Sequence, residues 1–274
     1  MQRIVRAELD LRIEGALDLI LAVTVAAGVS RDSEEFVLRQ GGVDLTPTEL
    51  TDASGTRLHR LHVEPGLVTV TYAATVGGQT EMIDATALET AVYLRPSRYA
   101  PSDAVFSQAR RLFGGLRGAD LISAVEQYVF DTVTYSPGLS HGTDSAVNTL
   151  ATGQGVCRDY AHLVIALLRA MDVPARYAAC YAPGLVPMDF HAVAEAYLDG
   201  QWWVLDATRL SNRRGLVRIA TGRDAADCAF LSSYGGDLAL TRMVVDAQVM
   251  GEREVIDAAS DPTADDRSAL VAIR

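Results

Sequence analysis

The chain of 274 residues has no lysine; all 24 of its basic side chains are arginine. Codon usage in a GC-rich genome accounts for such a bias, but the chemical consequence holds either way. The protein has no side-chain amine with which to form an isopeptide bond to itself. Cysteine is also scarce. Cys157, Cys180 and Cys228 lie far apart, make no disulfide framework and fit a reducing compartment. No CxxC or HxxxH pair supplies zinc ligands, and neither a metal nor a cofactor is expected. Long apolar runs are missing too: Leu19 to Ala27 is too short to span a bilayer. Glu8, Asp10, Glu14 and Asp18 precede it where a signal peptide carries positive charge, so a cytoplasmic protein is expected. The net charge of −11 and pI near 4.9 disfavour nucleic acid and anionic membrane as partners, because both select a basic face. There is no internal repeat and no low-complexity tract.

What remains is a chain with 49% hydrophobic residues, long enough for one large domain or two ordinary ones. Residues 1–93 read as β structure. Leu17 to Thr24, Leu58 to Val63 and Leu67 to Ala73 are short apolar runs, separated by turn signals at Gly41-Gly42, Ser54-Gly55, Pro65-Gly66 and Gly77-Gly78. This spacing predicts a small β-sandwich. Pro96, Ser97, Pro101 and Ser102 break the pattern and mark a boundary. A second domain is expected over 94–250 and a mobile tail over 251–274, within which 260–266 is polar. The second domain opens with helices near 104–113, capped by Ser102 or Asp103, then 120–133 and 144–151.

A further helix starts at about Cys157, after Gly153 and Gly155. Ala161, Val164, Ile165 and Leu168 form its buried stripe, and Cys157 lies on the same side. Ala175 to Tyr181 reads as a strand. His191 to Leu198 and Gln201 to Thr208 then form a hairpin around Asp199-Gly200, a strong two-residue turn signal. If Leu198 pairs with Gln201, Val193 opposes Asp206 and His191 opposes Thr208. Alternation then puts His191 and Asp206 on one face as diagonal neighbours, about 7–8 Å apart at Cα, within reach of each other's side chains. Helices first and strands after make this half α+β.

A thiol at a helix start, a histidine and a carboxylate are what nucleophilic acyl transfer needs: nucleophile, base and orienting group. The unsatisfied N–H groups and positive dipole end of a helix's first turn favour a thiolate. Asp206 would fix the tautomer of His191, and the Cys157 backbone N–H could help hold an oxyanion. Cys180 and Cys228 read as core residues. A zinc site built from Cys157, His191 and Asp206 is a poor second, since no second Cys or His lies at ligand spacing. His162, about 140° around the helix from Cys157, reads as structural. His141, in a loop beside Gly142, is a weaker candidate for lining a cleft. Pro183-Gly184-Leu185-Val186-Pro187 reads as a loop over that cleft.

Gly153-x-Gly155-Val156-Cys157-Arg158-Asp159-Tyr160-Ala161-His162-Leu163, Pro174-Ala175-Arg176-Tyr177, His191-Ala192 and Asp206-Ala207-Thr208 together resemble the bacterial transglutaminase-like family of cysteine-protease-type enzymes. Tyr93-Leu94-x-Pro96-Ser97-Arg98-Tyr99 resembles its inter-domain stretch. The resemblance implies a papain-like α+β core, with a Cys-bearing helix packed on an antiparallel sheet bearing His and Asp, behind a small N-terminal β domain. It implies Cys157 as nucleophile, His191 as base and Asp206 as orienter. The chain departs from the family pattern at Val193, where Trp is usual, and at Ala207, where Pro is usual; the first bears on pocket shape. Family members include cross-linkers, peptidases, amidases, amide synthases and inactive scaffolds. The expected substrate is a peptide, a protein or a small amide, hydrolysed through an acyl-thioester. The alternatives are transfer to an amine acceptor and a non-catalytic interaction module.

Overall fold

A computed structural model describes residues 1–78 and 85–273. In chain order the strands of the first part are β1 (Gln2–Ile13), β2 (Leu17–Leu21), β3 (Arg31–Gln40), β4 (Val43–Leu45), β5 (Thr48–Thr51), β6 (Arg57–Val63) and β7 (Gly66–Val76). Helices α1 (Ala87–Val92), α2 (Phe106–Phe113) and α3 (Gly118–Thr132) follow. Then come β8 (Thr134–Tyr135), α4 (Ala146–Thr152), β9 (Gln154–Gly155) and α5 (Cys157–Ala170). The last third holds β10 (Ala175–Tyr181), β11 (His191–Leu198), β12 (Gln201–Leu205), β13 (Val217–Gly222), β14 (Leu231–Tyr234), β15 (Leu238–Met250) and α6 (Arg253–Ser260). The fold is α+β.

The N-terminal strands form the expected sandwich of two antiparallel sheets, ordered β15-β1-β7-β3-β4 and β14-β2-β6-β5. Strand alternation builds its core. Val5, Ala7, Leu9 and Leu11 of β1 and Leu17, Leu19 and Leu21 of β2 are buried and share one cluster with Val68 and Val70 of β7. Residues 231–250, assigned by the sequence reading to the domain over 94–250, hydrogen-bond into this sandwich instead. β14 pairs with β2, and β15 pairs with β1 along its whole length. The apolar pattern of 238–249 announces a strand, but it carries no mark of which open sheet edge the strand will join.

The second sheet system has the order β12-β11-β10-β13. Its hairpin register is the predicted one: Leu198 pairs with Gln201 and Ala194 with Leu205. Asp199 (φ +52°) and Gly200 (φ +84°) both adopt the left-handed conformation that such a two-residue turn requires. α5 packs on β10 and β11, while α2, α3 and α4 surround it. It is therefore buried on every side from Asp159 to Ala170, not along one stripe.

The start of α2 also differs from the sequence reading. Its N-cap is Val105, because the turn closed by Ala104 N–H onto Pro101 O delays the helix past Ser102 and Asp103. The C-terminal residues, expected to form a mobile tail, carry regular structure and contacts to the core. α6 is followed by a 3-10 turn at Pro262–Ala264, Asp265 is buried, and the Val204 N–H donates to Val271 O at 2.7 Å along the free edge of β12.

Candidate active site

Three short-range devices set the start of α5. Gly153 ends α4 in the left-handed conformation (φ +64°), which a residue with a Cβ adopts only under strain. The chain then runs parallel to β8, with Tyr135 paired to Gly155 and the Ser136 N–H bonded to Gly155 O at 2.9 Å. Finally, the Asp159 carboxylate reaches back and accepts from the Val156 N–H at 2.8 Å, satisfying one of the orphan donors of the first turn. A Cβ on Gly155 would lie 2.6 Å from Asp159 Cβ, so glycine there lets the cap close. Cys157 is the first residue of the helix, partly exposed at its end.

His191 opens β11, and Asp206 follows the last residue of β12. The structure brings the two together: His191 Nε2 lies 3.0 Å from Asp206 Oδ2, with both side chains about 1% exposed. A carboxylate only accepts, so Nε2 carries a proton toward Asp206, and Cys157 is a further group that favours the charged form of the ring. Asp206 is fully engaged. Oδ2 also accepts from Ser211 Oγ at 2.7 Å, and Oδ1 accepts from Thr208 Oγ1 at 2.6 Å and the Thr208 N–H at 3.1 Å.

Burial alone would neutralise both groups, but their mutual attraction and hydrogen bond reverse that. Against its own burial, the charge and bond of Asp206, with Cys157, hold His191 well above the usual imidazole range. Against its burial, His191, Thr208 and Ser211 hold Asp206 below the usual carboxylate range.

The neighbours of Cys157 are polar. Arg158 donates to Ser140 Oγ at 2.6 Å and His141 O at 2.8 Å, pinning the 136–144 loop beside the helix start. His141 stands on that loop with an exposed side chain 3.5 Å from Asp144. Tyr135 pairs with Gly155, two residues before Cys157. Burial, then the charges of Cys157 and Asp189, push the phenol up to about 12, so it stays protonated. Tyr135, Asp159 and Ser211 were not singled out from the sequence. Only Asp159, three residues after the residue it caps, carried a recognisable signal.

The other candidates fall outside the site. Cys180 and Cys228 are buried, and burial pushes the Cys180 thiol up to about 12. His162 is buried, stacks on Tyr99 at 5.3 Å and accepts the Ala225 N–H through Nε2; burial pulls it down to about 3. Val193 is buried with Ala178, Val204, Leu185 and Leu216 in a small cluster against which Val271 and Ile273 pack. The 183–187 loop, expected over the cleft, contributes Leu185 to that cluster and lays Gly184 against Ser260 O, where a Cβ would come within 1.9 Å, while Gly184, Val186 and Pro187 are exposed.

The family model described as "Transglutaminase-like superfamily" matches residues 109–207, a stretch that contains Cys157, His191 and Asp206. An uncharacterized protein of Mycobacterium leprae is 26% identical over 201 residues, 69% of each chain. The periplasmic domain of TgpA from Pseudomonas aeruginosa is 20% identical over 74% of this chain and 87% of that one, with a TM-score of 0.39. The crystal structure of a "putative cysteine protease" from Cytophaga hutchinsonii is 32% identical, covers 92% of this chain and 91% of that one, and superposes with a TM-score of 0.84. Likeness of that extent takes in the sandwich and the helix-on-sheet core together, and the chain belongs to the transglutaminase-like superfamily.

Proposed function

We propose that the protein is a thiol-dependent acyl-transfer enzyme that hydrolyses amide or peptide substrates. The observation that carries this reading is the buried His191–Asp206 pair, together with a partly exposed cysteine at a helix start. The Cys157 sulfur attacks the substrate carbonyl carbon, and a C–S bond forms. The oxyanion is held by the Cys157 backbone N–H, with the protonated Tyr135 beside it. The C–N bond then breaks as the His191 imidazolium gives its proton to the leaving amine, and an acyl-thioester remains. Water attacks the thioester, His191 takes its proton, and the acid leaves with the thiolate restored. The three unpaired cysteines support a reducing, cytoplasmic setting.

Transfer to an amine is the second reading. The absence of lysine favours it, because an enzyme without lysine does not cross-link itself through its own side chains. Hydrolysis is preferred because water is always present as acceptor and no amine-binding group stands out beside Cys157.

The first test is the pH dependence of Cys157 alkylation by iodoacetamide, with Cys157→Ala as blank. Fast modification persisting well below pH 8 and lost in His191→Ala is the expected result. Modification at the rate of a free thiol, unchanged by His191→Ala, would leave a non-catalytic module. Incorporation of a fluorescent primary amine into a glutamine-bearing protein separates transfer from hydrolysis.

A further inference from the structure

The residues after Asp206 are fastened to a segment some sixty positions later. Arg267 is half-buried, and its guanidinium donates to Ser211 O at 2.9 Å and reaches Asp206 O at 3.4 Å. These two residues bracket the carboxylate: Asp206 carries it, and the Ser211 hydroxyl donates to its Oδ2. Arg267 is in turn fixed by Asp265, 3.3 Å away. The buried Asp265 carboxylate also takes Arg213 in a two-pronged pair at 2.9 and 3.1 Å and accepts the Arg213 backbone N–H at 3.1 Å. Arg213 is fully buried and spends its remaining donors on Val204 O, Asp266 O and Ala269 O. The turn 206–213 and the segment 265–271 are thus stitched from both sides.

We propose that Arg267 is a positioning residue for Asp206, and that the C-terminal segment 262–273 is a built-in part of the active-site scaffold. The proposal rests on the thiol-enzyme reading and adds to it a residue outside the matched family region, which ends at 207. The geometry explains why a positioning group is needed here. Asp206 stands just past the end of β12, where ladder hydrogen bonds no longer fix the backbone, and the following turn includes Arg209 in the left-handed conformation at φ +56°. Holding two carbonyl oxygens of that turn with one planar guanidinium fixes the carboxylate relative to His191. A displacement of about 1 Å in such a group costs on the order of 10²-fold in rate. Lysine, a point donor on a flexible stem, does not hold both carbonyls in one plane.

The experiment uses the full chain. The pH profile of iodoacetamide alkylation at Cys157 is measured for the wild type, Arg267→Ala, Arg267→Lys and His191→Ala, with far-UV circular dichroism on each. The expected result is a folded Arg267→Ala protein whose alkylation rate at pH 6 falls roughly tenfold or more toward that of His191→Ala, with Arg267→Lys between it and the wild type. A folded Arg267→Ala protein with the wild-type profile overturns the proposal. If Arg267→Ala does not fold, Arg267→Lys decides: an unchanged profile overturns it, a lowered one supports it. Failure of both to fold makes the segment structural and overturns the positioning role. A wild type that alkylates like a free thiol sinks the thiol-enzyme reading itself, a different result from an activated wild type indifferent to Arg267.

Discussion

In the proposed mechanism the chemistry turns on Asp206, because its charge favours the protonated form of the buried His191 imidazole. Replacing it by Asn preserves shape and the bonds from Thr208 while removing the charge. His191 then feels burial without compensation and loses its proton. Asp206→Asn is therefore expected to lower alkylation of Cys157 at pH 6 and amide turnover by roughly 10²–10⁴. It should also destabilise the fold by about 1–3 kcal/mol, because the buried His191 ring loses its charge-assisted partner. The pH dependence has a definite sign. His191 is raised on folding, so its share of stability is complete below about pH 6.5, the unfolded value, and is lost as pH rises through its folded value. Asp206 is lowered, so its share is complete above about pH 3.9 and is lost as pH falls toward its own folded value. The wild-type minus Asp206→Asn difference in urea midpoint should be largest between those two pH values and shrink in alkaline buffer. A difference that grew with pH would contradict the assignment of an imidazolium.

The start of α5 is the element that aims the thiol, and its geometry depends on the Asp159 cap more than on the helix's own propensity. Asp159→Ala leaves the Val156 N–H without its acceptor and is expected to cost about 1 kcal/mol or somewhat more. Because Cys157 is the next residue, alkylation should fall with stability. Asp159→Asn keeps an oxygen acceptor and should retain most of both, as melting curves and alkylation rates on the two variants would reveal. Several elements could be read from the sequence because their signals are local. Asp199-Gly200 sets the hairpin register by its turn conformation, and that register brings the start of β11 and the end of β12 to the same end of the hairpin, with Asp206 just past the last pair, Ala194 with Leu205. Gly153 and Gly155 mark the turn before the thiol for reasons the structure bears out in φ and in space. What could not be read is contact between distant segments. The full burial of α5 depends on three helices closing over it, and Ser211 and Arg267 meet Asp206 through irregular loops that have no periodic signature.

At the scale of the whole molecule the sandwich and the core share a strand-completed sheet and buried hydrogen bonds, and are expected to unfold together. Tyr181, on the strand beside His191, donates to Val23 O at 2.6 Å and stacks its ring on Tyr72 of the sandwich. The Ala26 N–H donates to Arg218 O at 3.0 Å, and the Thr221 N–H donates to Thr56 Oγ1 at 3.0 Å, tying β13 to the other half. The chain itself crosses back, since β15 completes the sheet that β1 began. Composition could not foretell this, because a turn-rich boundary near residue 96 looks the same whether the flanking units are loose or fused. Fusion predicts a single transition, and the two tryptophans make it testable. Trp202 and Trp203 both lie on β12, so selectively excited tryptophan fluorescence reports on the core, whereas far-UV circular dichroism reports on both halves. In urea the two curves should superimpose for the wild type. Tyr181→Phe leaves the Val23 carbonyl without its buried donor and should lower stability by about 1–3 kcal/mol, moving both curves together. Separate midpoints, with fluorescence changing alone, would mean that the core folds without the sandwich and that the bonds between them contribute little.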